Sequence, residues 1–330
     1  MFLDKYIQEN GMHTDYPIFD GKDHADIFIP TRDLFLAQYR DNDYNAIDII
    51  VKYLAIENYY GLNNFGFDLY NKTQRIRTNK DWDNRFKKLI ESIESKYDFS
   101  SFVETDLNYS IHDGAHRTAL ALFHNIDELP LRLFNTSLYR RTYNLDWFKE
   151  NNFTDEEIFI IEEKLKELLK KINDPYYCIL WTPARKIFEQ MQENIHGIEN
   201  GVEVVGSEDI TIPREIFKKF IYDIYSTDDI KREKLDIKYN KMMNSLQQDG
   251  FDEIEYPIRI LKVMMSNPDF RVKPLTGLPQ SKTTMRMKTT IRDEYKKFIT
   301  DYYYDIIMHV TDNTKQNQDV EKIIKKIRRN

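Results

Sequence analysis

Asp113, Gly114, Ala115, His116, Arg117 and Thr118 follow one another where a short apolar run gives way to a helical pattern. These are residue types that hold an anion. Asp113 suits a helix N-cap, and Gly114 lets backbone approach a ligand with no Cβ in the way. The N–H groups of a helix start have no partners within the helix, and the dipole favours negative charge there. Arg117 would add two charge-assisted hydrogen bonds to phosphate oxygens, His116 shares its turn, and Thr118 brings a further donor. The same residues also read as a cap, a core histidine and a surface ion pair, and spacing alone does not separate the two readings. Further along, Arg286, Lys288 and Arg292 lie on a predicted helix behind a loop containing Arg271, Lys273 and Lys282. They read either as a second anion-binding face or as a solvated basic one. The run IIMHVTDN at 306–313 predicts a strand that delivers His309 and Asp312 to its C-terminal end, where α/β folds present ligand groups. A lone histidine there is also commonly structural. Arg75 and Arg77 fall in a basic stretch where guanidinium forks would orient an anionic substrate. Asp228 and Asp229, with Lys238 and Lys241, make a weaker polar cluster.

These groups need elements to hold them. Residues 25–30 pattern as a strand that stops at Pro30. Residues 58–80, rich in Asn, Gly, Tyr and basic side chains, read as a long loop or short hairpin. From residue 81 onward Trp82, Phe86, Leu89, Ile90 and Ile93 mark one face of a helix. Between Ser101 and Phe134 the order is strand at 102–104, polar turn, strand at 109–111, helix at 114–124 and strand at 131–133. Thr154 to Glu157 form a capping box for a helix ending near Pro175. Beyond it come a buried strand at 176–181, a strand at 210–213, and a helix after Pro213. A proline-rich basic loop then leads to a helix at 285–303, and the chain closes in a basic helix or tail. Both halves therefore read as α/β (α+β), divided as 1–150, a connecting helix at 151–174, and 175–330.

The chain has 330 residues, 31% of them charged, and a net charge of −7. No apolar run approaches the roughly 18–20 residues that span a bilayer, and the N-terminus lacks the basic-then-apolar order of a signal peptide. No membrane insertion and a cytoplasmic location are the expectation. The single cysteine, Cys178, excludes an internal disulfide framework and a multi-cysteine zinc site. An acidic balance also argues against a dedicated nucleic-acid binder.

The segment ETDLNYSIHDGAHRTALALFHNIDELPLRLF at 104–134 resembles the signature of the ParB/sulfiredoxin superfamily, a strand running into Asp-Gly-x-His-Arg. Ile27-Phe28-Ile29-Pro30 and Tyr39-Arg40 resemble its opening strand and following arginine, so the similarity spans residues 25–135. The resemblance implies a mixed-sheet domain that binds a nucleotide's phosphates through Asp113 to Thr118. Superfamily activities include ATP-dependent sulfinic acid reduction, CTP binding by chromosome-partition proteins, and free-serine kinases. The first uses a cysteine near the motif, whereas Cys178 falls in the other predicted half. The second pairs the motif with a basic helix-turn-helix that no stretch after Phe134 supplies. The kinase branch implies ATP or another nucleotide with Mg²⁺, and His116 among the catalytic groups. Its serine kinases carry a glutamate base after the opening strand; Asp33 is the nearest acid here, with Glu104 and Asp106 as alternatives. The expectation is a phosphotransferase acting on a small hydroxyl-bearing acceptor: an amino acid, a sugar or a glycan precursor. The acceptor would be held in part by Arg75, Arg77, Arg286, Lys288, Arg292, His309 and Asp312. A nucleotide-gated DNA-binding or nuclease protein is the alternative, and a non-catalytic interaction module a third reading.

Overall fold

The run from Ile47 to Ile56 is apolar on nearly every side, and a helix of that kind has to be buried. The computed structural model describes residues 12–40, 43–44, 47–79, 82–95, 98–137, 143–228, 230, 232–303 and 306–328. In it this run forms most of α2 (Ile47–Tyr59), and every residue from Ile47 to Ile56 is buried. The first unit runs β1 (His24–Pro30), α1 (Thr31–Leu36), a hairpin of β2 (Tyr39–Arg40) and β3 (Asp43–Tyr44), and α2. Then come α3 (Gly66–Thr78), α4 (Asp83–Ser95), β4 (Val103–Thr105), β5 (Ile111–Asp113), α5 (Ala115–Phe123), β6 (Glu128–Phe134), α6 (Leu145–Glu150) and α7 (Asp155–Ile172). Its main sheet has the order β1-β6-β4-β5. The β4–β6 pair is parallel and the other two are antiparallel, so the sheet is mixed, as expected.

Residues 66–78 form a helix where composition reads as a loop. Polar side chains start it: Asn63 Oδ1 accepts the Gly66 N–H at 2.9 Å and the Phe65 N–H at 3.2 Å, and Asn58 Oδ1 accepts the Phe67 N–H at 3.0 Å. Its buried face includes Thr73 and Gln74 beside Leu69 and Tyr70, which blurs the apolar period. The capping box at α7 is present in both directions, Thr154 N–H to Glu157 Oε2 at 2.7 Å and Glu157 N–H to Thr154 Oγ1 at 3.2 Å.

The chain divides after Ile172, and Asp269–Gln280 belong to the first unit. Thus α7, expected as a connector, packs on α2 within the first unit. The returning segment holds most of the ribbon β10 (Phe270–Val272) and β11 (Pro279–Ser281), and the Tyr109 hydroxyl donates to the Gly277 carbonyl at 2.6 Å.

The second unit contains β7 (Tyr176–Leu180), α8 (Phe188–Ile195), β8 (Val202–Pro213), α9 (Arg214–Ser226), α10 (Arg232–Gln248), β9 (Glu255–Met265), α11 (Lys282–Tyr295), β12 (Met308–Val310) and α12 (Thr314–Ile327). Its sheet, ordered β12-β7-β9-β8, is antiparallel throughout. The sequence pattern foresees neither α10 nor β9. Among the described residues no helix is long and apolar enough to cross a membrane.

Gly66 sits where α3 crosses α2: a Cβ there would lie 2.0 Å from the Leu54 carbonyl oxygen. Gly66→Ala is therefore expected to cost about 3 kcal/mol or more, because backbone cannot yield as a side chain does. A urea midpoint equal to wild type would contradict this.

Candidate functional site

The start of α5 differs in detail from the sequence pattern. Gly114 is the N-cap residue, in the left-handed region at φ 95°, and Asp113 accepts the Gly114 N–H at 2.7 Å instead of capping the helix. A Cβ on Gly114 would meet Val103 at 2.9 Å, so this glycine is required for packing against β4 as well as for its φ. Thr118 is fully buried and its hydroxyl donates to the Gly114 carbonyl at 3.1 Å, so it offers nothing to a ligand. Ala115 is half-buried.

Arg117 is half-buried and lines a cleft of about 550 Å³ with Asp113, Gly114 and His116. The opposite wall comes from Tyr70, Gln74 and Thr78 of α3 and from Trp82, Arg85, Phe86, Lys88 and Leu89 in and just before α4. One guanidinium nitrogen of Arg117 donates to the Phe102 carbonyl. Arg117, Arg85 and Lys88 have no carboxylate partner among the described residues; Arg85 lies over the Trp82 ring, 4.9 Å from its centroid. Gln74 is 5% exposed and its Nε2 has no hydrogen-bond partner. Among the described residues the cleft thus combines cations without an ion pair, a buried unused donor and aromatic walls, with Asp113 as the one acid on its lining.

His116 is packed edge-on against Phe86, ring centroids 4.6 Å apart, and its Nε2 lies 2.9 Å from the Tyr70 hydroxyl. Tyr70 is 1% exposed and burial pushes its phenol up, so the hydroxyl keeps its proton. Donation from Tyr70 to Nε2 gives that proton an acceptor, whereas the reverse arrangement buries it without one. The proton of His116 therefore sits on Nδ1. Burial, then the charge of Lys52, holds the imidazole neutral, well below its ordinary range.

Arg77, expected to meet substrate, is committed to structure. It donates to Asp48 Oδ2 at 2.9 Å and lies 3.9 Å from the centroid of the Tyr143 ring. Arg75 is exposed on α3. Asp33 is completely buried in the first turn of α1; burial, and then the charge of Asp33, raises the phenol of Tyr109. It does not line the cleft. Asp106 is also buried and accepts the N–H groups of Asn108 at 2.8 Å and Ser110 at 3.1 Å, shaping the β4–β5 turn. Glu104 is half-buried and stands opposite Asp113 in the β4–β5 register.

In the second unit, four of the sequence candidates gather with new neighbours. Lys288 lies 2.7 Å from Asp312 Oδ1, which also accepts the Thr284 hydroxyl at 2.6 Å. Arg292 is buried and donates to the Met308 carbonyl at 2.9 Å. His309 is 2% exposed, with Nδ1 3.5 Å from Asp228 Oδ2. Gln316 joins the two acids, donating to Asp228 at 2.8 Å and accepting the Asp312 N–H at 2.6 Å. Arg286 is exposed and paired instead with Glu199 at 3.1 Å. Lys238 stands over the Tyr225 ring, and Lys241 is 3.9 Å from Asp301. Asp229 and the side chain of Arg40 lie outside the described residues.

No protein-family model, curated protein or solved structure matches this chain. The site rests on its own geometry. Sequence reading missed Tyr70 and Gln74, which fall in the stretch read as a loop. Arg85 and Lys88 were visible as cations flanking the apolar stripe of α4.

Two outcomes follow for stability. A buried unpaired amide costs free energy, so Gln74→Met is expected to leave the fold as stable or up to about 2 kcal/mol more stable; a clear drop in the urea midpoint would contradict an unused donor. Burial pushes the His309 imidazole down to about 4. As pH falls from the unfolded value of about 6.5, the unfolded chain takes up a proton that the folded chain refuses, so stability falls through that window, by roughly 3 kcal/mol in full. Denaturation of His309→Gln across the same window should lack this component.

Proposed function

We propose that the cleft at α5 holds the phosphates of a nucleotide, and that the protein transfers a phosphoryl group to a small hydroxyl-bearing acceptor. The observation behind this reading is the half-buried Arg117 guanidinium, which faces the cleft with no carboxylate partner among the described residues. A guanidinium in that position, with no ion pair of its own and only the more distant charge of Asp98 acting on it among the described residues, has donors to spare, which a phosphate answers with two oxygens. Arg85, Lys88 and the Nδ1–H of His116 are further donors on the lining. The Gln74 amide suits a neutral acceptor, such as a ribose hydroxyl or a base carbonyl. Trp82 offers a flat apolar surface against which a base can stack. The cleft volume falls within the range of small-molecule sites, roughly 300–1,000 Å³.

Mg²⁺ needs one or two carboxylates when phosphates supply other ligands. Asp113 and Glu104, opposite each other in β5 and β4, fit that need. Among the described residues no group of three or more candidate metal ligands occurs, so a metal held by protein alone is not part of this reading. When bound, the ion would neutralise charge on the phosphates. Asp33 is sealed from solvent, so Glu104, half-buried opposite Asp113 at the border of the cleft lining, is the remaining alternative for the group that takes the acceptor's proton. The acceptor class stays that of an amino acid, sugar or glycan precursor.

A DNA-binding reading has less behind it. The basic helix α11 is largely engaged internally, with Lys288 on Asp312, Arg286 on Glu199 and Arg292 on the Met308 carbonyl.

Arg117→Ala is expected to weaken ATP, ADP or CTP binding by roughly 100-fold, the loss of about two charge-assisted bonds, with the urea midpoint little changed. Unaltered affinities for all three by calorimetry would overturn the reading. Duplex DNA should show no retardation at low ionic strength, where electrostatic binding is strongest.

A further inference from the structure

Tyr70, Gln74 and Thr78 follow one another at four-residue intervals along α3, so they form one stripe on the side of that helix that lines the first unit's cleft. The two outer side chains are engaged. The Tyr70 hydroxyl lies 2.9 Å from His116 Nε2, at the start of α5 where Arg117 stands. The Thr78 hydroxyl donates to the Gln74 carbonyl at 2.8 Å and accepts the Trp82 indole N–H at 3.0 Å, which latches the indole to the far end of the stripe. Gln74, between them, is 5% exposed, and its side-chain Nε2 has no hydrogen-bond partner. Among the described residues that line the cleft, no other has a buried side-chain nitrogen or oxygen in that state. A donor left so is costly unless a ligand answers it.

We propose that Gln74 binds a ribose hydroxyl, which makes the cleft selective for ribonucleotides over their deoxy counterparts. The inference rests on the nucleotide reading above and adds the sugar to it. A helix rises about 1.5 Å per residue, so Tyr70 and Thr78 stand about 12 Å apart along α3, with Gln74 about 6 Å from each. Phosphates belong at the Tyr70 end, where Arg117 and the start of α5 lie. The base belongs at the Thr78 end, against Trp82 or the Arg85 guanidinium over its ring, since bases stack on aromatic faces and on guanidinium planes alike. In a nucleotide the sugar joins those two parts, and so it falls at Gln74. Its hydroxyl oxygens accept an amide N–H and bring no charge that a neutral carboxamide would have to balance. A phosphate at this height would exchange the Arg117 fork for a single neutral donor.

Calorimetry on the full-length protein tests it with ATP and CTP, their 2′-deoxy and 3′-deoxy analogues, and inorganic triphosphate. Wild type is expected to bind ATP or CTP about three- to tenfold more tightly than at least one of its deoxy analogues, the worth of one neutral hydrogen bond. Gln74→Met keeps the length of the side chain and lacks the amide. With its fold checked by the urea midpoint, it should bind ribo and deoxy forms equally and inorganic triphosphate as wild type does. Arg117→Ala should weaken every one of these ligands. Equal wild-type affinities for the ribo and both deoxy forms, or a preference that survives in Gln74→Met, would overturn the ribose assignment and leave the phosphate reading standing. Failure of wild type to bind either nucleotide would remove both.

Discussion

Asp48 is buried between two cations, and the geometry of the first unit's cleft depends on that arrangement. Lys52 Nζ lies 2.7 Å from its carboxylate and Arg77 Nη1 2.9 Å, and the two positive charges hold its carboxyl down to about 2 despite burial. Because Lys52 and Asp48 share α2 while Arg77 ends α3, the network ties the last turn of α3 to the most buried helix of the unit. Gln74 and Tyr70 lie one and two turns earlier on α3, so their places in the cleft follow from it. Removing the Asp48 carboxylate would leave Lys52 buried without its counter-charge in a low-dielectric interior, at a cost of about 3–5 kcal/mol.

The same network sets the chemistry of His116. Burial first, and then the surplus positive charge of Lys52 and Arg77, leaves a neutral imidazole. Around it the cations of the cleft stay unpaired, whereas in the second unit acids and bases answer one another through Asp312, Gln316 and Asp228. The first cluster leaves cations without ion pairs on its lining among the described residues, and the second ties Lys288, Asp312, Gln316 and Asp228 into one bonded chain.

Much of the framework was legible in the sequence because it depends on local rules. The capping box of α7, the apolar stripe of α4, the strand at β6 and the turn from β5 into α5 all declare themselves within a few residues. The loop expected at 58–80 was not legible as a helix, because α3 is started by asparagine side chains and buried through polar residues. α10 and β9 were likewise missed.

The sequence by itself determined a mixed α/β chain in two parts and a glycine-arginine motif at a helix start, since composition, periodicity and helix termini act over short distances. Only the tertiary structure decided which charges are free. Arg77, Arg292 and Lys288 look no different from Arg117 along the chain, yet Arg77 and Lys288 are paired with carboxylates and Arg292 with a buried carbonyl, while Arg117 donates to the Phe102 carbonyl and has no ion pair among the described residues. Availability is a property of long-range pairing, and residue type and spacing do not carry it.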